Sequence, residues 1–192
     1  MPTPDRTSLA DIVEAARDIL ESEGLPRLTM QAVAERVGVR APSLYKRVRN
    51  RDALIRLVAE AIVRDLGEQL SSVASSGDPG RDLGELARAF RAFAHAHPAG
   101  YQLIFANGRE ETRPSLDTLT EASAPALRLA ADLAGPEHAL EAARMVTAWA
   151  NGFVSMEFAG AFNLGGDLDE AFEFGIIRLT AALAAPKPPW AD

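Results

Sequence analysis

The chain has 192 residues, 47% hydrophobic and 24% charged, which is ordinary for a folded globular protein and enough to bury a sizeable core. It has no cysteine, which excludes disulfides, thiolate catalysis and thiolate metal sites and fits an intracellular, cytoplasmic setting. The formal net charge of −7 hides a split: residues 1–64 hold 11 Lys+Arg against 9 Asp+Glu, a net of +2, and the remainder carries −9. Between 36 and 56 the cations are Arg36, Arg40, Lys46, Arg47, Arg49, Arg51 and Arg56, against Asp52 alone. Such a split is the expected sign of one nucleic-acid surface on an otherwise acidic chain. The polar start, Met1-Pro-Thr-Pro-Asp-Arg6, does not read as a signal peptide, and no uninterrupted apolar run reaches the length of about 18 that a membrane span needs.

The periodicity is helical nearly throughout, so the expected fold is all-α, with about nine helices. Leu9, Ile12, Val13, Ala16, Ile19 and Leu20 recur at spacings of three and four and mark a helix over 9–23. Ser8 with Asp11 forms a capping-box pattern at its start, and Gly24 closes it. Thr29 can cap a short helix over 30–36 whose inward side is Val33, Ala34 and Val37, and Gly38 ends it. Pro42 suits the first turn of a third short helix carrying Ser43 to Val48. Asn50 caps a fourth, running from Arg51 to about Ser71. Ser75-Ser-Gly-Asp-Pro-Gly80 reads as a linker. Helices are then expected over 83–97, ended by Pro98; over 99–106; over 114–134 with a kink at Pro125; over 137–162; and over 167–184. The stretch 107–113 reads as a polar loop, and the tail from Pro186 as extended.

Two short helices separated by Gly38, braced by flanking helices, have the layout of a helix-turn-helix. The first helix spans the phosphate backbone and supports the second, which must be slim enough to enter the major groove. Leu44 and Val48, four apart, supply the inner face of the second helix. Ser43, Tyr45, Lys46 and Arg47 remain outside. Tyr45 can donate to a phosphate, Lys46 or Arg47 can reach a phosphate or a guanine edge, and Ala41 and Pro42 suit a thymine methyl.

The stretch from Leu28 to Ile55 resembles the DNA-binding segment of the tetracycline-repressor (TetR) family. Thr29, Ala34, Gly38-Val39, Ser43, Leu44-Tyr45, Val48, Arg51, Asp52 and Ala53-Leu54 stand at the family's spacings without a gap, within a likeness that covers roughly 8–56. Arg47 stands where members often carry His, and Val48 where Phe is common. The resemblance implies that Thr29, Met30, Gln31, Ala41, Pro42, Ser43, Tyr45, Lys46, Arg47 and Arg51 contact DNA; a contact by Met30 would be apolar. The functional boundary is expected inside the fourth helix, ahead of the linker, because that helix can pack on both sides, which gives a DNA-binding domain over 1–55 and a ligand-binding and dimerisation domain over 56–192. Trp149-Ala-Asn-Gly152 is similar to the Trp-x-His-Gly element of one C-terminal subgroup, with Asn151 in the His place.

Aromatic residues cluster on the C-terminal stripes. Phe93, His97, Tyr101, Phe105, Trp149 and Phe153 are the expected effector contacts, because His97, Tyr101 and Trp149 add polar handles to an apolar set. Core packing is the competing role for each of them. His95 and His97, two apart on one helix, do not make the i, i+4 pair of a helical metal site, and no nucleophile with its base is visible, so neither a metal, a cofactor nor catalysis is expected. The last two helices carry more apolar surface than one small bundle needs. A homodimer through them would place two recognition helices about 34–36 Å apart on a pseudo-palindromic double-stranded operator. The expected function is a ligand-responsive regulator, a repressor released from its operator by a small apolar effector. The alternative is a small helical ligand-binding or scavenging protein whose N-terminal segment is only structural.

Overall fold

The computed structural model describes residues 7–73, 75–106 and 109–185, and among them there is no strand. The described residues form nine α-helices in succession: α1 (Leu9–Glu23), α2 (Met30–Arg36), α3 (Ala41–Leu44), α4 (Arg51–Ser71), α5 (Pro79–Ala96), α6 (Pro98–Ala106), α7 (Leu116–Ala134), α8 (Ala139–Phe158) and α9 (Leu168–Ala184). Short 3-10 turns lie at Leu25–Arg27, Glu110–Thr112 and Pro136–His138. The extended tail expected from Pro186, and Asn107 and Gly108 of the polar loop, lie outside the described residues.

Local chemistry sets most boundaries. Ser8 Oγ accepts from Asp11 N–H at 3.1 Å while Asp11 accepts from Ser8 N–H at 2.8 Å, which completes the expected capping box of α1. Thr29 Oγ1 accepts from Ala32 N–H at 3.1 Å, and Asn50 Oδ1 from Ala53 N–H at 2.8 Å, so each satisfies one orphan donor at a helix start. After α2, Gly38 at φ +72° lets Val39 N–H reach Ala34 O at 2.9 Å and Gly38 N–H reach Glu35 O at 3.2 Å. That is a Schellman closure, and it makes the turn of the helix-turn-helix.

Three boundaries differ from the sequence reading by four residues each, the others by two or fewer. α3 ends at Leu44 instead of continuing to Val48. The N–H groups of Arg47 and Val48 both turn onto Leu44 O, at 2.8 Å each. The chain must bury Val48 (2% exposed) and then present Asn50 as the cap of α4, so the second turn is given up. α5 begins four residues early, inside the expected linker, because Asp78 accepts from Gly80 N–H at 2.9 Å and Arg81 N–H at 3.1 Å, with Pro79 in the first turn. α8 stops at Phe158: Ala161 N–H bonds Met156 O at 2.9 Å across Gly160 at φ +60°. At Pro125, where a kink was expected, α7 is continuous as an element.

The chain divides into two units: Met1–Asp65 with Ala94–Glu121, and Leu66–Phe93 with Ala122–Asp192. In the first, α1, α2, α3 and the start of α4 bury Ile12, Ile19, Leu20, Leu28, Val33, Leu44, Leu54 and Val58. α6 packs on α1, where Glu21 accepts from Ala99 N–H at 3.1 Å and Gly100 N–H at 2.8 Å, a borrowed cap for the α6 N-terminus. In the second, Ala87, Phe172 and Ile176 form a core on which Trp149 and Phe153 pack. A smaller cluster joins Ala130, Ala142 and Ala143.

Charged groups also fasten the second unit. Arg91 donates to both oxygens of Glu157, at 3.0 and 2.5 Å, and pairs with Asp169 at 2.7 Å. Its guanidinium lies over the Phe172 ring, 4.8 Å from the centroid. Arg88 makes a second fork onto Glu173, both bonds 2.6 Å. The α4–α5 connection is closed by Asp82, which is buried and accepts from Ser76 N–H, Ser76 Oγ and Ser75 Oγ. The Ser76 hydroxyl and amide hold the Asp82 carboxyl below the usual carboxylate range.

Candidate nucleic-acid interface

The helix-turn-helix is built outward from its buried face. Leu44 (1% exposed) and Val48 anchor the α3 segment against the core of the first unit. Ser43, Tyr45, Lys46 and Arg47 are exposed, as are Pro42, Arg40 and Arg49, while Ala41 is half-buried. Tyr45, at 53% exposure, holds a large ring and a hydroxyl in solvent beside two cations. A one-turn helix and the turn that follows it, with Leu44 and Val48 inward and a hydroxyl, a phenol and a run of cations outward, have the surface chemistry that phosphate and base edges require.

α2 contributes its N-terminal turn. Thr29 is half-buried and its hydroxyl oxygen is engaged in the cap; Gln31 is exposed and donates to Glu35 Oε1 at 2.7 Å. Met30 is buried, 7% exposed, and belongs to the core side of α2. Arg51 is half-buried and turned inward. Its Nε donates to Leu28 O and its Nη2 to Leu25 O, both at 2.6 Å. Its partners lie 23 and 26 residues back along the chain, and no local sequence signal points to them.

The six expected effector residues fall in both units. His97, Tyr101 and Phe105 belong to the first, where Tyr101 is buried and its ring centroid lies 5.1 Å from that of Phe105, which is exposed. Phe93, Trp149 and Phe153 belong to the second. There Phe93 is buried, Trp149 stacks on Phe172 at 4.9 Å, and Phe153 meets Phe172 edge-on at 5.0 Å and Trp149 at 6.0 Å. Phe172, expected on the apolar face of the last helix as part of the surplus credited to a dimer, is instead the fully buried centre of that aromatic set. Among the described residues no group of three or more His, Asp and Glu side chains is placed to hold a metal ion, and no helix is long and apolar enough to cross a membrane.

Comparison with known proteins aligns with this geometry. Residues 6–58 match the family described as bacterial regulatory proteins, tetR family, and residues 83–179 match the tetracyclin repressor-like C-terminal domain. The class A tetracycline repressor protein of Escherichia coli, from transposon 1721, is 30% identical over 165 residues, covering 83% of this chain and 73% of that protein. An uncharacterised HTH-type transcriptional regulator of Mycobacterium tuberculosis is 29% identical over 182 residues, covering 94% and 83%. Among solved structures, a TetR variant from Acinetobacter baumannii in complex with minocycline superposes with a TM-score of 0.69 at 27% identity, covering 92% of this chain and 96% of that one. BioQ with its double-stranded DNA operator superposes with a TM-score of 0.68 at 26% identity, covering 94% and 99%.

Proposed function

The chain belongs to the TetR family of bacterial transcriptional regulators, and from that premise we propose how its residues divide the work of a ligand-responsive DNA-binding regulator. Residues 1–55 are the DNA-binding domain and 56–192 the ligand-binding and dimerisation domain. The reading rests on one observation: Tyr45, Lys46 and Arg47 are exposed directly beside buried Leu44 and Val48. Lys46 and Arg47 neutralise phosphates or reach guanine edges, Tyr45 and Ser43 donate to the backbone, and Pro42 and Ala41 offer apolar contact. Thr29 and Gln31 bring the α2 N-terminus to a phosphate. Met30 acts from the core side, by packing.

Two copies bind a pseudo-palindromic operator through a dimer formed by α8 and α9. Exposed Leu140, Met145, Met156, Phe174 and Ile177 on those helices support that interface. The protein is a cytoplasmic repressor without catalytic activity or cofactor. Trp149-Ala-Asn-Gly152 is a variant of the Trp-x-His-Gly element. A small apolar effector touches residues of the expected set, either His97, Tyr101 and Phe105 of the first unit or Phe93, Trp149 and Phe153 of the second, and binds the DNA-free conformation more tightly than the DNA-bound one; that difference, not tightness itself, moves the equilibrium.

The test is a gel shift on the DNA upstream of the protein's own gene, with Lys46→Glu and Arg47→Glu variants. The parent shifts that fragment specifically and with steep salt dependence, and each variant loses the shift while its helical circular dichroism and melting temperature hold. Unchanged affinity in both variants removes α3 as the recognition element. A parent that shows no specific shift leaves the ligand-scavenging alternative.

A further inference from the structure

Arg51 is the one cation of the expected DNA-contacting set whose side chain is committed inside the protein. Its guanidinium spans two backbone carbonyls, Leu25 O and Leu28 O, at 2.6 Å each. Leu28 is fully buried, so its carbonyl lies where an unmade hydrogen bond is expensive. Within the Leu25–Arg27 turn the backbone hydrogen bonds are local, Arg27 N–H to Gly24 O at 3.1 Å and Leu28 N–H to Leu25 O at 3.2 Å, and neither ties the turn to α4. The turn is followed by Thr29, the cap of α2, and Arg51 stands immediately after Asn50, the cap of α4. One side chain therefore stitches the chain just after the α3 segment to the chain just before α2.

We infer that Arg51 is a positioning residue for DNA recognition: it fixes where the α2 N-terminus stands relative to the α3 segment, and it does not serve as a phosphate ligand. The inference rests on the reading that α2 and α3 meet DNA. The chemistry requires arginine. A planar fork presents two N–H groups to two carbonyls at once, whereas lysine offers a single ammonium at the end of a flexible stem. A phosphate contact makes the opposite demand, since lysine serves it as a point charge.

The experiment measures operator and scrambled-duplex affinity across a salt series for the parent, Arg51→Lys and Arg51→Ala, with amide exchange of the DNA-free proteins. Expected for Arg51→Lys is a loss of about tenfold or more in operator affinity, unchanged affinity for scrambled duplex, and an unchanged slope of log K against log salt. Faster exchange at Ala32, the amide held by Thr29, is expected without any DNA present. Parent-like affinity in Arg51→Lys, or a slope reduced by about 1 in Arg51→Ala and restored in Arg51→Lys, identifies a phosphate contact and overturns the inference. Should Arg51→Ala not fold, Arg51→Lys alone decides, because it keeps the charge and removes the fork. Ala32 exchange that matches the parent overturns the inference independently of DNA. A parent that cannot distinguish operator from scrambled duplex defeats the functional reading instead, and the exchange result still judges the clamp.

Discussion

Gly175→Ala is the sharpest test of the packing in the second unit. A Cβ at Gly175 would stand 2.2 Å from Trp149 Cζ2, 2.9 Å from Cε2 and 3.2 Å from Cη2, whereas ordinary contact begins at 3.4 Å, so the indole must retreat by about 1 Å. It has little room to do so, being stacked on Phe172 at 4.9 Å with Phe153 at 6.0 Å. Overpacking of this kind costs about 1–3 kcal/mol, and disturbing the aromatic stack adds about 0.5–1.5 kcal/mol. Replacing a mid-helix glycine with alanine returns about 1 kcal/mol. The net is a destabilisation of about 1–3 kcal/mol, or a fall in melting temperature of about 3–10 °C for a chain of this size. Urea titration and thermal melting read it. The causal assignment is checked in a Trp149→Leu background, where the same substitution should become neutral or stabilising, a positive coupling in the double-mutant cycle. A Gly175→Ala protein as stable as its parent, or equal effects in both backgrounds, would refute the reasoning.

Other perturbations test separate parts of the molecule. Arg91→Met removes the bidentate hydrogen bonds to Glu157, whose side chain is 6% exposed, and should lower stability by about 1.5–3 kcal/mol. Arg91→Met with Glu157→Leu should recover most of that loss, and denaturant titration showing no recovery would contradict the pairing argument. The Arg88 fork holds the Glu173 carboxyl below the usual glutamate range, so its stabilisation is complete at neutral pH and fades as pH falls through that lowered value. Both side chains are about two-fifths exposed, which keeps the effect to about 1 kcal/mol or less. The stability gap between the parent and Glu173→Gln should accordingly narrow on acidification; a gap independent of pH would count against the fork. Glu21→Ala removes the borrowed cap of α6 and should cost about 1 kcal/mol, with faster amide exchange at Ala99 and Gly100. Parent-like exchange at both amides would show that the cap contributes nothing.

The parts of the fold legible in the sequence are those governed by bonds of three to five residues' reach. Ser8 with Asp11, Thr29, Gly38 and Asn50 each act on a backbone group close by, so residue type and spacing suffice to place α1, α2 and the start of α4. The exposed edge of the α3 segment was readable for the same reason, because Leu44 and Val48 mark the buried side at a spacing of four. The early start of α5 was also written locally, in Asp78-Pro79, but the surrounding serines and glycines resemble a linker and concealed the cap. What stayed hidden depends on distant partners. The inward turn of Arg51 answers carbonyls 23 and 26 residues away, the Arg91 fork answers a carboxylate 66 residues away, and the centrality of Phe172 emerges only when α9 meets Trp149 and Phe153. A cationic side chain carries no local mark of whether it faces solvent or a carbonyl.

The serine–aspartate closure between α4 and α5 makes that corner an elbow, not a tether. With Asp82 gripping the amide and hydroxyl of Ser76 and the hydroxyl of Ser75, the first turn of α5 holds the residues just ahead of it in one geometry instead of leaving them as slack chain. The bend is thereby anchored from the α5 side, and Asp82→Ala should release it, read as faster amide exchange at Ser76, while leaving the body of α5 intact.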